Sequence, residues 1–310
     1  MKKIAITMGD AGGVGPEVAL KAAIKQELRR KVSLILLGDK KVFEETAKIC
    51  KLSLEGVQIE QVCKVDNFVK GEPTEASAKA AYECIKRALE GCLAGEFYAM
   101  VTAPISKQAL KMAGIKWPGH TEMLAEMTNT RDYAMMLIGG PLKVVLATIH
   151  VPLRKVAELI TQELILQKIR LAHKALKMFD LTDGIIGVSS LNPHAGENRI
   201  LGEEEEEIIK PAIERARAEG INVIGPVAAD IVFHKAYQGE IDIVVSMYHD
   251  HALAPLKMIA FDRGVNLTLG LPIIRTSPDH GTAYDIAYKG IAREDSIVEA
   301  IRLAASLKLP

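Results

Sequence analysis

Cysteine is scarce in this chain. Only Cys50, Cys63, Cys84 and Cys92 occur, all in the first third. Their spacings of 13, 21 and 8 match no common zinc pattern and do not make a disulfide-stapled secreted domain. Reduced, packed thiols are the expectation. Aromatic residues are also few, at 5 % with a single tryptophan, and no Lys/Arg run is interleaved with them, which excludes a stacking surface for nucleic acid. Charge of one sign is missing: 39 basic residues face 39 acidic ones. No long-range field then draws the chain to nucleic acid or anionic lipid, and an anionic ligand must be met by locally placed cations. Apolar runs long enough to span a bilayer, roughly 18 residues, do not occur. The opening MKKIAIT run breaks at Asp10 and the glycines, too early for a signal-peptide core. The expectation is a cytoplasmic protein with neither nucleic-acid nor membrane partners.

What is present is a globular composition, 49 % hydrophobic and 25 % charged over 310 residues, enough for two domains or one large α/β unit. Lys3–Thr7 reads as a strand running into a glycine turn and a helix opened by Pro16, whose missing N–H suits the first helical position. Val32–Leu37 is almost wholly apolar, as an interior parallel strand is. Helices are expected over 41–49, 75–91, 155–179 and 203–219, with a closing helix from Ser296 to Leu307. The acidic run Glu203–Glu207 reads as a solvated helix start facing the positive end of the dipole. Alternation of strand, loop and helix gives an α/β fold.

Three apolar runs end in loops that carry histidine: Val144–Ile149 into His150, Ile185–Ser189 into His194, and Ile241–Ser246 into His249. Ligands of open α/β sheets sit at the carboxyl ends of strands. Three histidines at one topological position are either ligands of a catalytic metal, which commonly takes three protein donors, or separate hydrogen-bonded loop residues. The densest polar stretch is Ser246–Ala283, which reads as buried strand and as an active-site wall; it adds Lys257, Arg263, Asn266 and Arg275, residues suited to holding a carboxylate or phosphate. Gly13-Val14-Gly15 followed by a helix, with Asp39 after the next strand, has the outline of a nucleotide-binding turn, but Val18 stands where the third glycine belongs and Pro16 removes an N–H. Gly119-His120-Thr121-Glu122 reads as a helix start with Thr121 as its cap and His120 either structural or functional.

Taken together, ITMGDAGGVGPE, TAPISK, PGHTE, IHVPLR, LNPHAGE, MYHD and RGVNLTLGLPIIRTSPDHGTA resemble the 4-hydroxythreonine-4-phosphate dehydrogenases of pyridoxal phosphate biosynthesis and their relatives acting on four-carbon acid sugar phosphates, over essentially the whole chain. The resemblance implies the two-lobed fold of the isocitrate and isopropylmalate dehydrogenases, not a Rossmann fold. Residues 1–120 with 268–310 would form one lobe, and 121–267 the second, with the dimer interface. It implies a homodimer whose active site is shared between subunits. One divalent metal (Zn, Mg, Co or Mn) is expected on His150, His194 and His249. Substrate is expected on His120, Thr121, Lys257, Asn266 and Arg275, with Lys257 and His249 catalytic. NAD is expected against Leu271, Asp279, His280 and Gly281, and the N-terminal glycines become a structural turn.

The implied reaction is NAD-dependent oxidation of 4-phosphooxy-L-threonine to a 3-oxo acid that decarboxylates to 3-amino-2-oxopropyl phosphate. The alternative substrate is 4-phospho-D-threonate or 4-phospho-D-erythronate, giving dihydroxyacetone phosphate and carbon dioxide. The chain departs from the biosynthetic pattern at His251, which stands beside the His249-Asp250 pair, at Asn198-Arg199-Ile200-Leu201, and at Tyr284-Asp285-Ile286-Ala287. The last of these resembles the acid-sugar branch.

Overall fold

The computed structural model describes Met1–Pro310. In chain order the strands are β1 (Lys3–Thr7), β2 (Ser33–Gly38), β3 (Gln58–Gln61), β4 (Ala99–Thr102), β5 (Ala134–Gly139), β6 (Leu142–Leu146), β7 (Ile186–Ser189), β8 (Val223–Val227), β9 (Ile243–Ser246), β10 (Val265–Leu269) and β11 (Ile274–Pro278). Two compact units result: Met1–Thr130 with Leu271–Leu307, and Arg131–Gly270 with Lys308–Pro310. The junctions lie at Thr130/Arg131 and Gly270/Leu271 rather than 120/121 and 267/268. Helix His120–Met127 stays with the first unit, held there by Glu126, which takes the ammonium of Lys116 and the indole N–H of Trp117.

In the first unit the order is β3-β2-β1-β4-β11, every pairing parallel. Parallel strands with helices on both faces cannot alternate apolar and polar side chains, and β1 and β4 accordingly bury nearly every residue. Gln58–Gln61 is polar because it is the edge strand of this order. Helix Glu75–Leu93 begins with a capping box, the Thr74 hydroxyl accepting from Ser77 N–H while Ser77 answers the Thr74 N–H. The glycine turn is a packing device. A Cβ on Gly15 would stand 2.4 Å from the Met8 carbonyl oxygen, and one on Gly13 2.8 Å from that of Thr282.

In the second unit the order is β10-β5-β6-β9-β7-β8. β5 pairs antiparallel with both β10 and β6, whereas β6, β9, β7 and β8 are parallel. The core beneath them gathers Leu137, Val144, Leu146, Val232, Phe233, Val244, Ala252 and Leu256. Three local expectations change. The helix expected over 155–179 divides into a short turn at Leu153–Lys155, Val156–Leu159 and Gln162–Met178, because Thr161 turns away and caps the last segment by accepting from Leu164 N–H. The stretch 249–260, read above as strand-like wall, is a helix, His249–Ala260, that carries Pro255 internally and so leaves the His251 carbonyl without its usual donor. The stretch Ala228-Ala229-Asp230, which its pattern reads as a loop after a strand, instead leads into a further helix, Ala229–Tyr237. No helix is long and apolar enough to cross a membrane.

Candidate active site

In the second unit, the loops after β6, β9 and β7 open on the same edge of the sheet, because these three strands are parallel and consecutive neighbours. This brings the His150 and His249 rings to a centroid distance of 5.5 Å. They line a cavity of about 190 Å³ with Ile149, Val151, Leu153, Val156, Tyr248 and Asp250. The His249 Nδ1 meets the Asp250 carboxylate at 2.7 Å, which orients the ring and leaves Nε2 for a ligand. Two imidazoles with a carboxylate behind one of them suit a divalent ion. His194 does not join them: no three His, Cys, Asp or Glu side chains of one chain are gathered to hold a metal.

The backbone of the His194 loop is unusual. From His194 through Arg199 every residue has positive φ, at 52, 53, 78, 42, 54 and 76°. Gly196 adopts this conformation without penalty and Asn198 tolerates it; each of the others costs about 1–2 kcal/mol. Such a run persists only when its surroundings impose it. The main restraint is Glu205, which the sequence reading placed on a solvated helix start. It is instead fully buried. Its carboxylate accepts from the backbone N–H groups of Leu191 and Asn192, both at 2.8 Å, and from the Asn192 side-chain amide at 2.9 Å. The helix there opens with a π-type segment, Glu205–Ile209. Runs of glutamate reveal nothing about which member turns inward, so composition had no means of finding it.

Lys257 lies on the helix that His249 opens, about 12 Å further along its axis at 1.5 Å per residue. Its ammonium stands 5.4 Å from the Phe261 ring centroid. Asn266 is in the interior of β10, and its Oδ1 is buried without a hydrogen-bond partner. His251 packs away as an aromatic filler: its ring stacks on Tyr248 at 4.8 Å and meets the Phe233 ring edge-on at 5.8 Å. Burial pushes its pKa down, so it stays neutral.

The first unit holds a separate cluster. Arg275 in β11 is only 3 % exposed, and its Nε and Nη2 donate to the Thr102 hydroxyl at the end of β4, at 3.0 and 2.7 Å. Register places Arg275 beside Met100, and the side chain reaches along the strands to Thr102. Burial lowers the guanidinium to about 10, opposed by the negative charge of Glu122, so it remains cationic at neutral pH. His120 opens helix His120–Met127; the cap is Gly119, and Thr121 is a buried residue inside the helix rather than its cap. Burial, and secondarily the Arg275 charge, hold the His120 imidazole neutral. Its Nε2 is buried with no partner. A fixed cation next to an unpartnered neutral imidazole is a receptor for an anion with a hydroxyl or other hydrogen-bonding group beside it.

Leu271 is buried, and the loop after β11 carries Asp279, His280 and Gly281. The Asp279 N–H donates to Ser296 Oγ at 3.1 Å, and the His280 Nδ1 lies 3.0 Å from the Gly281 carbonyl. The position of a Cβ on Gly281 has no atom within 4 Å, so its backbone is open to approach. This loop is clamped to the N-terminal glycine turn. The Val14 N–H donates to the Thr282 carbonyl at 2.9 Å, and the Tyr284 hydroxyl to the buried Asp10 carboxylate at 2.8 Å. Burial raises Asp10, against the pull of Tyr284 and the Gly12 N–H.

Residues 30–304 match the family described as pyridoxal phosphate biosynthetic protein PdxA. The chain is 45 % identical to the 4-hydroxythreonine-4-phosphate dehydrogenase of Geobacter metallireducens, over 98 % of this chain and 95 % of that one. It is 42 % identical to the D-threonate 4-phosphate dehydrogenase of Salmonella typhimurium, over 99 % of each. Its structure matches the crystal structure of 4-hydroxythreonine-4-phosphate dehydrogenase from Klebsiella pneumoniae with a TM-score of 0.90, at 37 % identity over 98 % of each chain. A β-decarboxylating dehydrogenase of Thermococcus kodakarensis matches at TM-score 0.50 and 17 % identity, over 96 % of this chain and 81 % of that one, a likeness of fold alone. The α/β fold is of that non-Rossmann kind.

Proposed function

Because this chain belongs to the family of the pyridoxal phosphate biosynthetic protein PdxA, we propose that it is the dehydrogenase that oxidises 4-phosphooxy-L-threonine at its secondary alcohol, with loss of carbon dioxide to give 3-amino-2-oxopropyl phosphate. The observation that carries the reading is the Arg275–His120 cluster, a buried cation beside an unpartnered imidazole nitrogen, which suits a substrate bearing an anionic group and a hydroxyl. The similarity to a D-threonate 4-phosphate dehydrogenase keeps a second substrate in play: 4-phospho-D-threonate or 4-phospho-D-erythronate, giving dihydroxyacetone phosphate.

Two groups complete the chemistry. Leu271, Asp279, His280 and Gly281 would hold NAD, which would supply a hydride acceptor, and His150, His194 and His249 would hold a divalent ion, which would supply Lewis-acid chemistry. Arg275 and Thr121 fix the anionic substrate, and His120 Nε2 takes a hydrogen bond from it. Asn266 and Lys257 keep the substrate roles that the family resemblance implies, the Lys257 ammonium to offset negative charge as it develops on the reacting oxygens. Balance requires that the alcohol carbon lose a hydride and its oxygen a proton. The carboxylate then departs as carbon dioxide, and a proton replaces it on carbon.

One chain brings together only two of the three imidazoles, so His194 is assigned to the site of a second copy in a homodimer. Exposed Met258 and Phe261 on the helix of His249, and Leu153 beside His150, give that copy an apolar surface to cover. NAD reduction by the purified protein, compared among 4-phosphooxy-L-threonine, 4-phospho-D-erythronate and 4-phospho-D-threonate with and without a chelator, tests the reading. Activity on the hydroxy acids alone overturns the first substrate, and chelator-insensitive turnover overturns the metal. Mixing inactive His249→Ala and His194→Ala proteins restores about a quarter of the activity if the site is shared across a two-fold axis; no recovery after subunit exchange refutes the sharing.

A further inference from the structure

We propose that Glu205 is a positioning residue for the reaction: its buried carboxylate sets the loop that presents His194. The proposal rests on the reading of His194 as a metal ligand given above. Both flanks of the histidine lean on this one side chain. On the N-terminal side, Oε1 accepts from the Leu191 and Asn192 N–H groups and Oε2 from Asn192 Nδ2. On the C-terminal side, Gly196 approaches so closely that a Cβ there would stand 2.7 Å from Oε2. Asn192 is tied further, its Nδ2 to Glu204 at 2.8 Å and its carbonyl to the Ser190 hydroxyl at 2.9 Å.

A carboxylate with no exposed surface is costly to bury unless every oxygen is supplied with donors. All of the donors here come from the two residues that lead into Pro193-His194. Within the loop itself the backbone bonds beyond the short Pro193–Gly196 turn are Glu197 N–H to the His194 carbonyl, Ile200 N–H to that of Glu197, and Leu201 N–H to that of Gly196. Six consecutive residues in the left-handed region would relax to other conformations if the carboxylate anchor were removed. The His194 ring would then lose its fixed direction, and a ligand without fixed direction binds its metal more weakly.

The test titrates cobalt(II) into chelator-treated protein, followed by visible absorption well below the melting temperature, with melting curves recorded alongside. His194→Ala establishes the effect of losing the ligand. Glu205→Ala is expected to weaken cobalt binding about 10–100-fold and to change the absorption band. Glu205→Gln keeps an acceptor for the two backbone amides but turns an NH2 toward that of Asn192, so it falls between Glu205→Ala and the unmodified protein. A role confined to stability would lower the melting temperature and leave the cobalt midpoint and spectrum unchanged. Glu205→Ala binding cobalt within twofold of the unmodified protein, while His194→Ala has lost affinity, overturns the positioning role. Unchanged affinity in His194→Ala overturns the ligand reading, and this proposal with it. Should Glu205→Ala not fold, Glu205→Gln and Asn192→Ala carry the comparison, and unmodified affinity in both is the refuting result.

Discussion

Replacing Arg275 by Met should sharply reduce activity while leaving the fold about as stable as before. Burial lowers this guanidinium from the ordinary arginine range to about 10. At about 1.4 kcal/mol for each tenfold change, keeping the charge inside the first unit costs the folded state about 3 kcal/mol at neutral pH. The sign follows from proton binding: the unfolded arginine holds its proton more tightly, so the folded state is penalised at every pH below about 10. Against this stand the bonds to Thr102 at 3.0 and 2.7 Å, together worth about 1.5–3 kcal/mol because a charged donor shares one acceptor. The two contributions nearly cancel, and methionine fills most of the volume. Urea unfolding should therefore show a change within about 1.5 kcal/mol. The kcat/KM, by contrast, should fall by about two to four orders of magnitude, the consequence of removing a charged, desolvated contact to an anionic substrate. A loss of stability well above 3 kcal/mol with proportionate loss of activity would show that Arg275 serves the core and would refute the argument.

Three further outcomes follow. Stability should decline as pH falls below about 6.5, because His120 is held neutral in the folded state with a pKa well below the unfolded value; the proton is taken up on unfolding, and His120→Gln should flatten that part of a pH series of melting temperatures. Leu256→Ala, at a fully buried position on the helix of His249 and Lys257, should cost about 2–5 kcal/mol in urea unfolding, and a value below 1 would mean the site collapses around the gap. Gly13→Ala would place a Cβ 2.8 Å from the Thr282 carbonyl, so the melting temperature should drop by an amount matching about 1–3 kcal/mol and KM for NAD should rise; an unchanged KM would separate the glycine turn from the cofactor loop.

Much of the site was legible before the structure. Parallel interior strands announce themselves as continuous apolar runs, and the polar residues that end such runs are the ones the sheet delivers to its carboxyl edge, as with His150 after β6 and His249 after β9. Arg275 was conspicuous as a cation directly after Leu271-Pro272-Ile273-Ile274, although it lies near the start of β11 and not at a strand's carboxyl end. Helix ends were less legible. Thr121 had the chemistry of a cap and lies inside its helix, while Thr161, inside the helix expected over 155–179, breaks what periodicity read as continuous.

The sequence by itself determined the α/β class, the family and the identity of the polar groups at the strand ends, because each depends on local pattern: runs, spacings and motifs are properties of neighbouring residues. Only the tertiary structure decided which of those groups meet. That His150 and His249 share a cavity follows from β6 and β9 lying side by side, an order that no local pattern encodes, and no third such donor of the same chain is gathered with them to hold a metal. That Glu205, one glutamate among five, is the one turned inward follows from where the donors of Leu191 and Asn192 come to lie, a long-range fact settled by the cost of leaving buried amides unpaired.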